Sequence, residues 1–194
     1  MQQYKQTISN DELKALPIGA FEGPVEIIDS VEQLEEACRY LLDCKVIGFD
    51  TETKPSFQAG VTNKVSLIQL STEDRCFLFR ICRTRLDRML LKILESPKVL
   101  KVGVDVGGDI RNLLKIRFFR PKGFVELQDE VGKFGIEDKS LRKIAGIVTG
   151  CAISKAQRLS NWESRELTPA QVKYAATDAW ICLKIYRQLF DNEQ

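Results

Sequence analysis

Compact apolar runs alternate along this chain with longer stretches in which apolar residues recur at helical spacing. After a polar lead-in over residues 1–24, where a short helix fits Asn10–Ala15, Val25–Ile28 reads as a strand. Ser30 then caps a helix over Val31–Leu42, with Gln33 three residues on as its capping-box partner. Lys45–Phe49 is an apolar strand. Lys64–Leu70 (KVSLIQL) and Cys76–Ile81 (CFLFRI) are two more, joined by a polar turn short enough to require antiparallel pairing.

A helix over Leu86–Leu94 stops at Ser96-Pro97, and Val99–Val104 is the next strand. Gly107-Gly108 opens a helix that runs to about Ile116, and a short strand at Phe124–Leu127 precedes a helical region. The last helix carries the plainest start signal. Thr168 is its N-cap, Pro169 takes the first helical position, Gln171 completes a second capping box, and the pattern runs to Phe190. Early strands followed by alternating helix and strand predict an α/β layered domain on a mixed sheet.

Composition narrows the class. The 194 residues suit one domain, and at 44% hydrophobic and 29% charged they can bury a core and keep a polar surface. No apolar run is long enough to span a membrane, and the N-terminus has no apolar signal segment, so a soluble, cytoplasmic protein without a membrane partner is expected. A net charge of +2 neither requires nor excludes a nucleic-acid partner. Cys38, Cys44, Cys76, Cys82, Cys151 and Cys182 form no CxxC pair and read as reduced structural thiols. The chain has no histidine, which excludes Ser-His-Asp triads, Cys-His pairs, HExxH zinc sites and any histidine base.

What remains for chemistry is carboxylates and a phenol. In VIGFDTET, Asp50 and Glu52 stand two apart at the end of a strand and share a face, although such a pair alone also reads as solvated turn residues. In KVGVDVGGDIRNL, Asp105 occupies the second glycine position of a dinucleotide fingerprint, so that reading fails. Asp109 falls at a helix start, where the dipole alone favours an acid. In LTPAQVKYAATDAW, Tyr174 and Asp178 stack on one helical face among Ala175, Ala176 and Ala179, which allow close approach to a sheet; an ion pair for Asp178 and a core role for Tyr174 stay open. Taken together the four carboxylates form an oxygen-ligand inventory for two hard divalent cations, magnesium or manganese rather than zinc.

These three segments resemble the motifs of the DEDDy 3′–5′ exonucleases, of ribonuclease H-like fold, the family that includes ribonuclease D, the proofreading domain of DNA polymerase I and the Werner-type exonuclease domains. VIGFDTET is similar to the first motif, KVGVDVGGDIRNL to the second and YAATD to the third, and the resemblance runs from about Val25 to Phe190. It implies a three-layer fold with a mixed sheet of five to six strands, antiparallel first and then parallel, flanked by helices, in a domain over residues 25–192. It implies that Asp50, Glu52 and Asp178 ligate one metal, that Asp50 bridges to a second held by Asp109, and that Tyr174 hydrogen-bonds the nucleophile. Ser154–Thr168 is similar to the segment before the third motif, where Lys155 and Arg158 would meet phosphates and Trp162 would stack or pack.

The expected function is therefore removal of nucleoside 5′-monophosphates from a nucleic-acid 3′ end with two Mg2+ or Mn2+ ions. DNA is the favoured polymer and RNA possible, with no helicase or HRDC module in this chain. The alternatives are an exoribonuclease of ribonuclease D type, a hydrolase of free nucleotides or very short oligonucleotides, and a non-catalytic nucleic-acid-binding module on the same scaffold. The pathway served, DNA repair among others, is left open.

Overall fold

Strand β2 (Val46–Thr53) runs through the middle of the molecule and fixes everything around it. It pairs antiparallel with β3 (Val65–Ser71) on one side and parallel with β5 (Leu100–Gly103) on the other. Strand β4 (Cys76–Phe79) follows β3 by the short turn and is antiparallel to it, as that turn requires. The edges are β1 (Val25–Ile28), parallel to β4, and β6 (Phe124–Glu126), parallel to β5, so the order is β1-β4-β3-β2-β5-β6. The computed structural model describes residues 3–58 and 60–191, and the domain boundary expected at residue 192 lies outside them.

Alternation along β2 separates two cores. Ile47 and Phe49 face one side with Ile68, Leu70, Phe77 and Phe79, and are covered by helices α2 (Val31–Leu42) and α4 (Arg88–Leu94) and by α5 (Val106–Leu114). Gly48 lies between them in the strand and meets α8 (Pro169–Phe190), which lies over the other side beside α7 (Leu141–Thr149). A Cβ on Gly48 would fall 1.9 Å from the Ala179 carbonyl oxygen, so only glycine lets α8 lie this close. Ala175, Ala176 and Ala179 are all fully buried in that contact. Both capping boxes form as expected, Ser30 with Gln33 and Thr168 with Gln171.

Two elements differ from the sequence expectation. Strand β2 does not stop at Phe49, because its ladder with β3 continues through Asp50↔Gln69, Thr51↔Ile68 and Glu52↔Leu67, with an irregularity only between Glu52 and Thr53. Strand β4 ends earlier than expected, at Phe79, and Ile81 begins the one-turn helix α3 (Ile81–Thr84).

The lead-in is held firmly. Its helix α1 (Asn10–Ala15) buries Leu13 against Gly146 of α7, and Gly19 N–H donates to the Ala152 carbonyl at 2.8 Å. Helix α6 (Leu127–Glu130) and a 3-10 turn over Val131–Phe134 complete the path between β6 and α7. No helix among the described residues is long and apolar enough to cross a membrane.

Candidate active site

The continued ladder carries Asp50 and Glu52 on the face of β2 that meets α8. The close approach at Gly48 sets Asp178 of α8 against them. One carboxylate oxygen from each of Asp50, Glu52 and Asp178 lies within 4.8 Å of the others. Asp109, in the first turn of α5, comes from the opposite layer and stands outside this trio. Thr51 reaches it: the threonine Oγ1 donates to Asp109 Oδ1 at 2.5 Å. The residue between the two strand carboxylates thus anchors the fourth acid, and sequence spacing gave no sign of that role.

Among the described residues, no lysine or arginine forms an ion pair with any of these four acids. Their electrostatics follow from that. Burial first, and Asp178 beside it, hold the Asp50 carboxyl well above the usual range. Burial, with Asp50, Asp178 and Asp109 nearby, pushes Glu52 to about 10. Burial and the Asp50 charge raise Asp109 to about 8 against the pull of its Thr51 hydrogen bond. Asp178 rises to about 7 through burial, offset in part by a hydrogen bond from Tyr174. Like-charged groups crowded in a low-dielectric site either keep protons or hold cations. Oxygen donors alone, in this number, fit hard divalent ions such as magnesium or manganese.

Tyr174 lies one helical turn before Asp178 and interacts with its carboxylate. Burial, then the charges of Asp178 and Glu52, drive the phenol well above its ordinary pKa, so it stays protonated and acts as a donor. Tyr174 and Asp178 line a cleft of about 580 Å3 together with Lys155 and Arg158. Both cations are exposed in that cleft, as a phosphate-contacting role requires.

Trp162, expected either to stack on substrate or to pack, is fully buried and packs. Its ring lies 6.1 Å from that of Tyr174 in the cluster that includes Phe21, Leu67 and Leu78, so it supports the tyrosine from behind and reaches no cleft. Asp105, left out of the acid set, adopts a left-handed backbone (φ 58°) just before α5 and forms no side-chain cap there.

The cleft also has lining residues that the motifs did not indicate. Asn10 and Leu13 of α1, and Ser140, Arg142 and Lys143 at the start of α7, face the same space. Arg142 Nε donates to the Ile153 carbonyl at 3.2 Å, and Lys143 pairs with Asp138 at 2.7 Å. The available signal was a basic pair at a helix start, where the dipole disfavours cations.

Residues 25–192 match the 3′-5′ exonuclease family. The chain is 35% identical over 184 residues to the mouse bifunctional 3′-5′ exonuclease/ATP-dependent helicase WRN, covering 90% of this chain and 13% of that protein. It is 31% identical to the fruit-fly (Drosophila melanogaster) exonuclease 3′-5′ domain-containing protein 2, covering 85% of this chain and 30% of that one. The chain thus spans less than a third of the length of these relatives. Among solved structures, the EXO domain of Aedes aegypti Nibbler superposes with a TM-score of 0.79 at 25% identity, over 91% of this chain and 94% of the domain. Escherichia coli RNase D shares the fold, with a TM-score of 0.76 at 22% identity over 86% of this chain and 44% of that one. The match over residues 25–192, together with the 35% identity to the mouse protein over 90% of this chain, places this chain in the 3′-5′ exonuclease family.

Proposed function

We propose that this chain is a metal-dependent 3′-5′ exonuclease that hydrolyses the terminal phosphodiester of a nucleic acid and releases a nucleoside 5′-monophosphate. The observation that carries this reading is the trio Asp50, Glu52 and Asp178, crowded within 4.8 Å and given no counter-charge by the described protein. Asp50, Glu52 and Asp178 would hold one Mg2+ or Mn2+ ion, and Asp50 and Asp109 a second. When bound, such a pair lowers the pKa of the attacking water and offsets charge on the leaving oxygen.

The side chains then divide the remaining work. Tyr174, a protonated donor at Asp178, orients the water toward phosphorus. The water oxygen bonds to phosphorus as the bond to the 3′-oxygen of the penultimate nucleotide breaks. That oxygen takes up a proton from solvent, in place of the one the attacking water gives up, leaves as a 3′-hydroxyl and resets the end for the next cycle. Thr51 keeps Asp109 turned to the site through its hydrogen bond. Lys155 and Arg158 bind phosphates of the incoming strand beside Tyr174 and Asp178.

DNA is the proposed polymer, because the second motif, KVGVDVGGDIRNL, resembles the Werner-type subgroup. A cytoplasmic location is consistent with six cysteines that are all unpaired. The test is a denaturing gel of a 5′-labelled oligonucleotide, as DNA and as RNA, with Mn2+ or Mg2+. A ladder shortening from the 3′ end, absent with EDTA and in Asp50→Ala, is the expected result. Binding without cleavage of either polymer, by folded protein that takes up metal, would overturn the reading in favour of a non-catalytic binding module.

A further inference from the structure

Gln69 stands in β3, with β2 on one side of it and β4 on the other, and is fully buried. Neither its amide oxygen nor its amide nitrogen has a hydrogen-bond partner among the described residues. An unpaired buried amide is costly, and native chains rarely keep one without a further use for it. Gln171, also buried, shows how the fold treats an amide that serves it. Its Oε1 accepts from Thr168 N–H at 2.9 Å and its Nε2 donates to the Asn161 carbonyl at 3.2 Å.

The strand register says what Gln69 faces. It stands directly opposite Asp50 in the β2–β3 ladder. Opposed residues of an antiparallel pair project to one face, with Cβ atoms about 4.5–5.5 Å apart. On that face its neighbours are Leu67 and Ser71 along β3 and Leu78 across on β4. Leu67 and Leu78 cluster with Ala175 and Ala176, so this is the face that α8 covers. Ser71 Oγ donates to the Thr72 carbonyl at 2.9 Å. The Asp50 carboxylate takes a main-chain hydrogen bond from Thr51 and has lone pairs left over.

We propose that Gln69 is a positioning residue for the metal site: its amide N–H donates to the Asp50 carboxylate when a divalent cation is bound, and fixes how that carboxylate meets the ion. The assignment rests on the metal-dependent exonuclease reading. No hydrogen bond joins the two side chains here, so the pairing forms as the carboxylate turns to its cation. A neutral amide is the group suited to this place. A lysine or arginine beside the acids would oppose an incoming cation, and another carboxylate would add to their repulsion. An amide donates without changing the charge of the site. Carboxylates that ligate metals are commonly held by such a partner, whose loss lowers metal affinity or activity about 10–100-fold.

The test uses Gln69→Met, which keeps the length of the side chain and removes the amide. Mn2+ affinity by titration calorimetry should fall at least about tenfold. With saturating Mn2+, kcat on a labelled oligonucleotide should fall about 10–100-fold while KM changes little. The urea midpoint of metal-free protein should be unchanged or higher, because an unpaired buried amide is gone. Leu78→Met, an equally buried exchange on the side of Gln69 away from Asp50, should leave Mn2+ affinity unchanged. In wild type, the side-chain amide protons of Gln69 should move downfield by NMR as Mg2+ is added, in step with its uptake. That measurement needs no variant to fold.

Unchanged Mn2+ affinity in Gln69→Met would overturn the assignment, as would Gln69 amide signals that stay in place while Mg2+ binds. A lower urea midpoint for Gln69→Met would overturn it too, by showing that the amide serves the fold. An equal loss of Mn2+ affinity in Leu78→Met would do the same, because the effect would then be one of packing. Mn2+ uptake by wild type without cleavage of the oligonucleotide would contradict the exonuclease reading, while the affinity and NMR comparisons would still decide the role of Gln69.

Discussion

Two groups of buried charge lie near β2, and they are built in opposite ways. Lys101, next in the sheet on β5, is fully buried. Its ammonium donates to three main-chain carbonyls, of Ser96 at 2.7 Å, Val99 at 2.8 Å and Lys122 at 2.6 Å. The Phe124 ring lies 4.9 Å from the same nitrogen. Every proton of that cation has an acceptor, and the result ties the strand to the loops on either side of it. Glu52 and Asp178 are buried as well and Asp50 is half-buried, but among the described residues no lysine or arginine pairs with them, and they are set against one another.

Buried charge that serves the fold comes satisfied by the chain itself. Buried charge left in mutual repulsion is a place prepared for an outside partner, and its cost is carried by packing elsewhere. Here that packing is the Gly48–Ala179 contact, which holds α8 on the sheet whether or not the acids repel.

The largest expected effect separates the two groups directly. Asp50→Ala should lower kcat/KM by at least about 10^3-fold, since several kcal/mol of charge stabilisation goes with the metal. It should leave the melting temperature of metal-free protein unchanged or raised, because one repelling carboxylate is gone. Lys101→Met should do the reverse. It leaves three carbonyls without their donor and should cost about 2–4 kcal/mol in urea unfolding, with activity per folded molecule retained.

Gly48→Ala probes the contact that joins the two. Its methyl meets the Ala179 carbonyl, so α8 must shift, at a cost of about 1–3 kcal/mol in thermal or urea unfolding and with weakened Mn2+ binding.

A pH series sharpens the contrast further. Asp178 and Asp109, at about 7 and about 8 in the folded chain, lie above the unfolded value of roughly 4, so the folded state binds more protons across that interval. Metal-free stability should therefore fall as pH rises from about 4 to beyond 8. Mn2+ replaces those protons, so the rise in melting temperature on adding it should be greater near pH 8 than near pH 6, as differential scanning fluorimetry would record. The smallest effect belongs to the cleft rim. Lys155→Ala should weaken oligonucleotide binding modestly and reduce the slope of log affinity against log salt by about 1, with kcat little changed.

Much of this was legible because the informative residues are local. Ser30 with Gln33, and Thr168 with Pro169 and Gln171, mark two helix starts within four positions each, and both form. Asp50 and Glu52 share a face by strand alternation, Tyr174 and Asp178 by helix spacing, and the small residues beside Asp178 do allow the close approach. What escaped depends on neighbours distant in sequence. The extension of β2 to Thr53 comes from its partner strand, since the polar run after Phe49 has no apolar period of its own. The anchoring of Asp109 by Thr51 crosses from one layer to another. The lead-in becomes a wall of the cleft only when Leu13 meets Gly146.

Titration calorimetry of Mn2+ into the protein, in two buffers of different ionisation enthalpy near about pH 7.5, tests the central claim most directly. Wild type should bind Mn2+ with release of protons from the carboxylate cluster, and Asp50→Asn should lose most of that binding and its proton release. Failure of the wild type to bind, or equal binding by Asp50→Asn, would contradict the account of these acids as a cation site.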